Sequence, residues 1–525
     1  MASTVCFFCE SEKCETCSSC GLVSSCVKHK NLHTSKDGSF CYPWTVERRD
    51  GVGRILVAVR DIKHLEVILE DEPVGLSPTQ DTPELCLQCF KLIPDANPYI
   101  CSCGFPMCDV TCGAGERHKP EHDLYIAAGA QARGRQNYPL VMPIRLLDQM
   151  EDNPTLRDRL GILMDHREER MAETNSWELT DTHLVKPLKA LYNDKKYTSD
   201  DIQRCVGLFR TNGLAVQATG LSPDQEWVDD DDLGTGRALY PAMCALTHSC
   251  SPNCRVMHSL NYKLVIRTAK DIRAGEELTI CYTKMFSGAI TRKADLLNNW
   301  FFECQCQRCR DRLDFDSNFD CWICPECGGP VLPQNESMTT DWQCGGCSKK
   351  VSRKKIEDQE NLMKNLLDHI PENKAMDSVK LFEEFLESQK TTLHSTHFFN
   401  IQAKLQLMFT FTNAVTNTEL ARKVEICGDI VKMLDTLKLG YIEVRGLALY
   451  DLCVPSLVLL QGNFDVGTIS RDQFKDGLNV IIKNLETSIE CLEVEEKGTY
   501  RKLIADRATH ILNNVRELVL FIDFL

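Results

Sequence analysis

No apolar run in this sequence of 525 residues approaches the ~18 needed to span a bilayer. The opening, Met-Ala-Ser-Thr-Val-Cys-Phe-Phe-Cys, lacks the basic-then-apolar layout of a secretory signal. The expectation is an intracellular, soluble protein with no membrane partner. Basic charge is also scarce. Lys and Arg number 60 against 75 Asp and Glu, a formal net charge of -15. That balance disfavours a nonspecific grip on nucleic acid. No helix rich in Arg and Lys accompanies the cysteine clusters, so sequence-specific nucleic-acid binding is not expected. A basic substrate segment would suit the charge.

Cysteine, in contrast, is plentiful. There are 29, most of them in three clusters with Cys-x-x-Cys or Cys-x-Cys pairs, several accompanied by His. A disulfide scaffold has no use for histidines at fixed offsets, so in a reducing compartment this spacing favours zinc. Residues 1–41 hold Cys6, Cys9, Cys14, Cys17, Cys20, Cys26, His29, His33 and Cys41, one more than the ligands of two tetrahedral sites. Residues 86–122 hold Cys86, Cys89, Cys101, Cys103, Cys108 and Cys112, with His118 and His122 one helical turn apart. Farther on, Cys324, Cys327, Cys344 and Cys347 repeat Cys-x-x-Cys, a zinc-ribbon spacing, with Cys321 as a spare. Structural zinc contributes on the order of 10 kcal/mol to folding such loops. A fully ligated site leaves no open position for catalysis, so its role is shape and partner binding.

A chain of this length implies three or so packed units. Residues 46–75 suggest two strands, one with Ile55, Val57 and Val59 alternating as a half-buried strand does, the other around Val67-Ile68-Leu69. Residues 140–215 are expected to be helical. Thr198 and Ser199 stand at an N-cap before Ile202, Val206 and Phe209, and Asn212-Gly213 can end that helix. Asp229 to Asp232 form an acidic loop, expected to be a solvated surface. Residues 355–525 are expected to be all helical and metal-free. There Thr416 and Glu419 form a capping box, and Leu420, Val424, Cys427, Val431 and Leu434 form a stripe that Gly440 ends. Leu478, Ile482, Leu485, Ile489 and Leu492 form another stripe.

The most unusual stretch is Thr247-His248-Ser249-Cys250-Ser251-Pro252-Asn253. It is followed by Gly275-Glu276-Glu277-Leu278-Thr279-Ile280-Cys281-Tyr282 and then by Cys304, Cys306 and Cys309. This order resembles the catalytic half of a SET-domain methyltransferase. With the cysteine module at 86–122 inserted upstream, it resembles the SMYD family of SET and MYND proteins. The second module in front is similar to the arthropod SMYD branch. The resemblance implies an α+β multidomain fold: a β-rich SET domain split by a MYND zinc module, a zinc-bound post-SET region and a C-terminal all-α tetratricopeptide-like domain. The implied boundaries are 1–41 for an N-terminal MYND-like finger, 42–84 for the SET N-terminal half, 85–125 for MYND and 126–235 for a helical SET insert. The SET core then takes 236–284, the post-SET zinc region 285–352 and the helical domain 353–525.

The family pattern further implies ligand sets and roles. Cys6, Cys9, Cys26 and His29 would share one zinc, and Cys17, Cys20, His33 and Cys41 another, with Cys14 spare. Cys86, Cys89, Cys108 and Cys112 would form a third set, Cys101, Cys103, His118 and His122 a fourth, and Cys250, Cys304, Cys306 and Cys309 the post-SET zinc. S-adenosylmethionine would be held by Gly53, Arg54, Asn212, Thr247, His248, Tyr282 and Phe302, with Tyr282 catalytic beside the transferred methyl. The implied activity is methylation of a lysine on a histone or non-histone protein, by a monomer present in cytoplasm and nucleus whose MYND modules bind protein partners. Two residues depart from the pattern: Thr247 stands where the family has Asn, and Ile55 where it has the second glycine of a Gly-x-Gly turn. They motivate a second reading, a SET scaffold with weak or lost catalysis that recruits partners through its fingers.

Overall fold

The computed structural model describes residues 41–525 apart from 81, 94–97, 174–175, 219–235, 338, 371–375, 412–413 and 525. Of the first 40 residues it describes 6, 14–18, 24–27, 33 and 34. The expected ligands Cys9, Cys20 and His29 and the acidic stretch Asp229–Asp232 lie outside the described residues.

The β-rich half begins with an antiparallel hairpin, β1 (Trp44–Arg49) and β2 (Gly53–Ala58). The two strands expected between 46 and 75 are β2 and β3 (Val67–Asp71), and β1 is the one sequence reasoning did not anticipate. β1 has little apolar periodicity. It is anchored instead by Trp44, 1% exposed, whose indole N–H donates to the Ile68 carbonyl at 2.6 Å. The half-buried alternation expected for β2 gives way to burial of Ile55, Leu56, Val57 and Ala58 in succession. The strand is covered on both faces, so period two is erased.

β4 (Gly75–Pro78) is an edge of a three-stranded sheet with β5 (Gly213–Val216) and β6 (Gly236–Leu239), in the order β4-β6-β5. A second sheet has the order β8-β9-β3, with β8 at Cys254–His258 and β9 at Leu264–Thr268. Between them β7 (Thr247–His248) pairs in parallel with β10 (Thr279–Ile280).

The cysteine module carries α1 (Lys119–Ala127), entered through Pro120, where a missing N–H costs nothing. It docks on α2 (Tyr138–Asp152). The Tyr138 hydroxyl donates to the Leu85 carbonyl and accepts from the Leu85 N–H, at 3.1 and 3.0 Å. Arg145 on α2 is buried against Glu121 on α1, its Nε donating to Oε2 at 3.0 Å. α3 (Ser199–Asn212) starts with the anticipated Thr198 cap, completed by Asp201 as a capping box.

Beyond α4 (Ala289–Trp300) lies a four-stranded ribbon, β11 (Trp322–Ile323), β12 (Pro330–Pro333), β13 (Trp342–Cys344) and β14 (Lys350–Val351). The remaining elements are helical: α5 (Arg353–Asp368), α6 (Met376–Ser388), α7 (Phe398–Thr410), α8 (Asn417–Thr436), α9 (Glu443–Asp465), α10 (Arg471–Glu493) and α11 (Tyr500–Phe524). The Thr416–Glu419 capping box forms as the sequence suggests. The helix ends at Thr436 rather than running on to Gly440, with Lys438 and Gly440 both at positive φ. That tight exit meets the SET core. A Cβ on Gly440 would lie 2.1 Å from the Ala269 carbonyl oxygen, which accepts from the Tyr441 N–H at 2.7 Å. The two halves therefore touch through backbone, where only glycine fits.

Candidate functional site

Parallel pairing of β7 with β10 needs a fastener, since two residues of ladder hold little by themselves. Asn253 supplies it. Its Nδ2 donates to the Glu277 carbonyl at 2.8 Å, and its Oδ1 accepts from the Thr279 N–H at 2.8 Å. The carboxamide mimics a strand rung and closes the crossing behind the site. Next along β10, the Tyr282 N–H donates to His248 Nδ1 at 3.0 Å, and the Tyr282 hydroxyl donates to the Leu246 carbonyl. Both side chains are thereby aimed by backbone. Burial lowers the His248 imidazole to about 4 and pushes the Tyr282 phenol above its ordinary value. Both are therefore neutral near pH 7.

Two further aromatics, Trp300 and Phe302, gather here. Tyr282 lies 5.4 Å from Trp300, and His248 lies 5.3 Å from Tyr282 and 6.1 Å from Phe302, centroid to centroid. Cys250, Cys304, Cys306 and Cys309 bring their sulfurs within 4.8 Å of one another. They pack in one cluster with Leu296, Tyr282, Trp300 and Phe302. Four thiolates at this spacing are a complete tetrahedral set for zinc. They tie the segment carrying Phe302 to the segment carrying His248.

A cavity of about 1430 Å³ opens beside these groups. Gly53, Arg54, Asn212, Thr247, His248, Tyr282 and Phe302, the seven residues picked from sequence, all line it. The site thus draws on β2, α3, β7, β10 and the post-SET segment. Asn212 ends its helix with Nδ2 donating to Met164 and Leu208 carbonyls at 2.9 and 3.0 Å, so it serves the helix end and the cavity wall together. Ile55, expected to crowd the entrance, is 1% exposed and is not among the lining residues. The glycines of the turn are Gly51 and Gly53, at φ +75° and +94°, and both line the cavity. Thr247 sends its hydroxyl to Glu277 Oε1, while Arg49 donates to Glu277 Oε2 at 2.6 Å.

The farther end of the cavity lies between β8 and the C-terminal helices, where Arg255, Glu443, Glu495 and Arg501 line it. Arg255 donates to the Cys491 carbonyl at 2.8 Å and pairs with Glu495 and, at 3.6 Å, Glu443.

Other ligand sets assemble away from the cavity. Cys86, Cys89, Cys108 and Cys112 converge, as do Cys324, Cys327, Cys344 and Cys347. Backbone N–H groups of Cys347 and Gly346 help lower the Cys344 thiol to about 6, easing thiolate formation. Cys101, Cys103 and His118 come together, while His122 stands aside with Nε2 on the Ser102 hydroxyl at 3.2 Å. Cys17, His33 and Cys41 also meet. Cys14, set aside as spare, lies against Cys6 with Cys26 nearby. Sequence spacing overlooked Glu121, whose Oε1 contacts His118 Nδ1 at 3.0 Å while Oε2 accepts from Arg145. Its position three residues after His118 on a helix was the available signal. A carboxylate behind a ligating His fixes the tautomer.

A family model described as SET domain matches residues 53–283. The SET domain-containing protein SmydA-8, isoform A, of Drosophila melanogaster is 25% identical over 383 residues, 70% of this chain and 78% of its own length. Histone-lysine N-methyltransferase SMYD3 of Homo sapiens is 43% identical over 79 residues, 15% of this chain and 18% of its own. N-lysine methyltransferase SMYD2-B of Danio rerio is 28% identical over 235 residues, 43% and 50% of the two chains. A solved structure of Rubisco LSMT bound to AdoMet covers 95% of this chain and 92% of its own at TM-score 0.31 and 12% identity, a likeness on which nothing here rests.

Proposed function

The chain belongs to the SMYD family of SET and MYND proteins, and from that premise we propose that it is an S-adenosylmethionine-dependent protein-lysine N-methyltransferase. The observation that carries the reading is the convergence of Tyr282, His248, Thr247, Asn212, Phe302 and the Gly51–Gly53 turn on one cavity. The fit to the donor is specific. Two positive-φ glycines leave room for close approach, neutral aromatic rings would suit a sulfonium, and the post-SET thiolates would hold Phe302 as one of the residues about it.

When bound, S-adenosylmethionine supplies an activated methyl group. The lysine lone pair forms the N–C bond as the C–S bond breaks, the bonding pair passing to sulfur, and a proton leaves the nitrogen to solvent. The protein's share is orientation and desolvation. A channel walled by Tyr282 and Trp300 favours the neutral amine. Rings at such a wall also tolerate a methylated ammonium. The arm of the cavity between β8 and α9–α10 would take the substrate segment around the lysine, with the C-terminal helices, a tetratricopeptide-like layer in this proposal, as its outer wall. The MYND modules would serve protein partners in cytoplasm and nucleus.

Transfer of labelled methyl to histones and to other lysine-bearing proteins tests this. The expected outcome is transfer by the parent chain and a fall of about 100-fold or more in Tyr282→Phe, the loss of a positioned group in the transition state. No transfer by either chain overturns it. The engagement of Thr247 with Glu277, in place of a family carboxamide, favours a second reading, a scaffold that no longer binds the donor. Calorimetry decides: micromolar binding of S-adenosylmethionine supports the enzyme, and absence of binding supports the scaffold.

A further inference from the structure

Thr247 lies on β7 and Glu277 two residues ahead of β10, its partner in the parallel crossing, and both line the cavity. Residue 247 is one of those that the resemblance implies hold the donor, and the family has an Asn carboxamide there. Here the side chain is a hydroxyl, and it donates to a carboxylate. The carboxylate is held from both ends. Oε1 accepts from Thr247, and Oε2 accepts from Arg49 on β1 at 2.6 Å. The Glu277 backbone is fixed as well, its carbonyl accepting from Asn253 and its position bridged to Val57 on β2. The side chain nevertheless keeps 23% of its surface. Each carboxylate oxygen can accept more than one hydrogen bond, so two acceptor positions remain.

The charges around it are arranged in a particular way. Arg48 and Arg54 are cross-strand partners on the hairpin, and both line the same cavity as Glu277. One wall therefore presents a fixed carboxylate beside guanidinium groups, on either side of the Gly51–Gly53 turn. A free α-amino acid tail is a zwitterion. Its ammonium needs an anionic or carbonyl acceptor and its carboxylate needs cationic donors. The wall has both.

We propose that the Glu277 carboxylate binds the α-ammonium group of the methyl donor's amino-acid tail, with Thr247 and Arg49 fixing its orientation. This inference rests on the methyltransferase reading. It turns the departure at Thr247 into part of a substitute for the family's carboxamide. The acceptor moves from residue 247 to the residue across the crossing, and it becomes charged.

The test is calorimetry on the full-length, zinc-loaded chain with two probes: S-adenosylmethionine, and the analogue in which hydrogen replaces the α-amino group. A charge-assisted hydrogen bond corresponds to roughly a 10- to 150-fold preference. The parent chain should prefer the intact donor by that factor. Glu277→Gln should weaken the intact donor about 10- to 100-fold while leaving the analogue within about threefold, collapsing the preference. Arg49→Met keeps the carboxylate but removes one of its two orienting partners, so it should shrink the preference only in part, to a value between the parent and Glu277→Gln. A parent chain that binds both probes equally overturns the proposal, whatever the variants do. So does Glu277→Gln if it weakens both probes alike, because Glu277 is then only an anchor for the hairpin. Either result leaves the methyltransferase reading standing. A parent chain that binds neither probe sinks that reading itself.

Discussion

Between Cys304 and Asp314 the chain has almost no apolar core of its own. It buries sulfurs and Arg308, and its Asp314 pairs with both Arg308 and the buried Arg292 of α4. Between Glu443 and Phe524 three long helices bury Phe474, Leu478, Leu485, Leu512 and Val515 and contain no metal-ligand group among the described residues. The first region owes its shape to a few atoms with strict geometry. The second spreads its stability over many apolar contacts, each replaceable. The functional groups sit where the first region meets the SET core, so the machinery that orients Phe302 and His248 is also the part most easily undone by losing a single ligand.

The largest expected effect is loss of the post-SET metal. Cys309→Ser breaks a ligand set of a kind that contributes on the order of 10 kcal/mol to local folding. Zinc content should fall by about one equivalent by elemental analysis. Donor binding should be lost, while the far-UV helical signal of α9–α11 persists. Full retention of zinc and donor binding would break the comparison. Next is Asp314→Asn, which leaves two buried guanidinium groups sharing no carboxylate. A cost of about 3–5 kcal/mol is expected in urea unfolding. Smaller, and confined to the helical region, is Leu485→Ala at about 2–5 kcal/mol, with zinc content and donor affinity unchanged. If it releases zinc, the two regions are one cooperative unit and the contrast fails.

The smallest effect is a matter of pH at the junction of the regions. Glu360 on α5 is buried, and desolvation raises its carboxyl to about 8. Its Oε1 has no hydrogen-bond partner. The folded chain therefore keeps a proton there between pH 4.5 and about 8 that the unfolded chain releases. Stability from this group declines as pH rises through that window. Glu360→Met should match the parent melting temperature near the acid end and gain on it toward pH 8. A gap that shrinks with rising pH would contradict the assignment.

How much of this was legible in the sequence depends on how local the signal is. Spacing within a few residues was enough for the ribbon and the Thr198 and Thr416 caps, while the family resemblance supplied the post-SET set and the seven residues that line the cavity. Relations across the chain were not legible in that way. Glu277 sits in the Gly-Glu-Glu run, but only the crossing of β7 and β10 brings its carboxylate to Thr247. Ile55 looked like an intrusion because a strand buried on both faces resembles an apolar substitution. Glu121 and Arg145 form a pair only after the finger docks on α2. Such contacts carry no periodicity and leave no local trace.

The clasp on Arg255 has a consequence for the order in which a ribosome delivers the molecule. Its carboxylate partner on Glu495 arrives 240 positions later in the chain. Its other partners, Tyr441, Glu443 and Cys491, also arrive only with the C-terminal helices, so until those are made β8 carries a guanidinium on the open flank of the cavity without the groups that seat it. The end of the cavity facing Tyr282 can form as soon as Cys309 is made, but the opposite flank must wait for nearly the last helix. A truncated transcript ending before residue 440 would thus yield a protein with its donor wall built and its other wall missing.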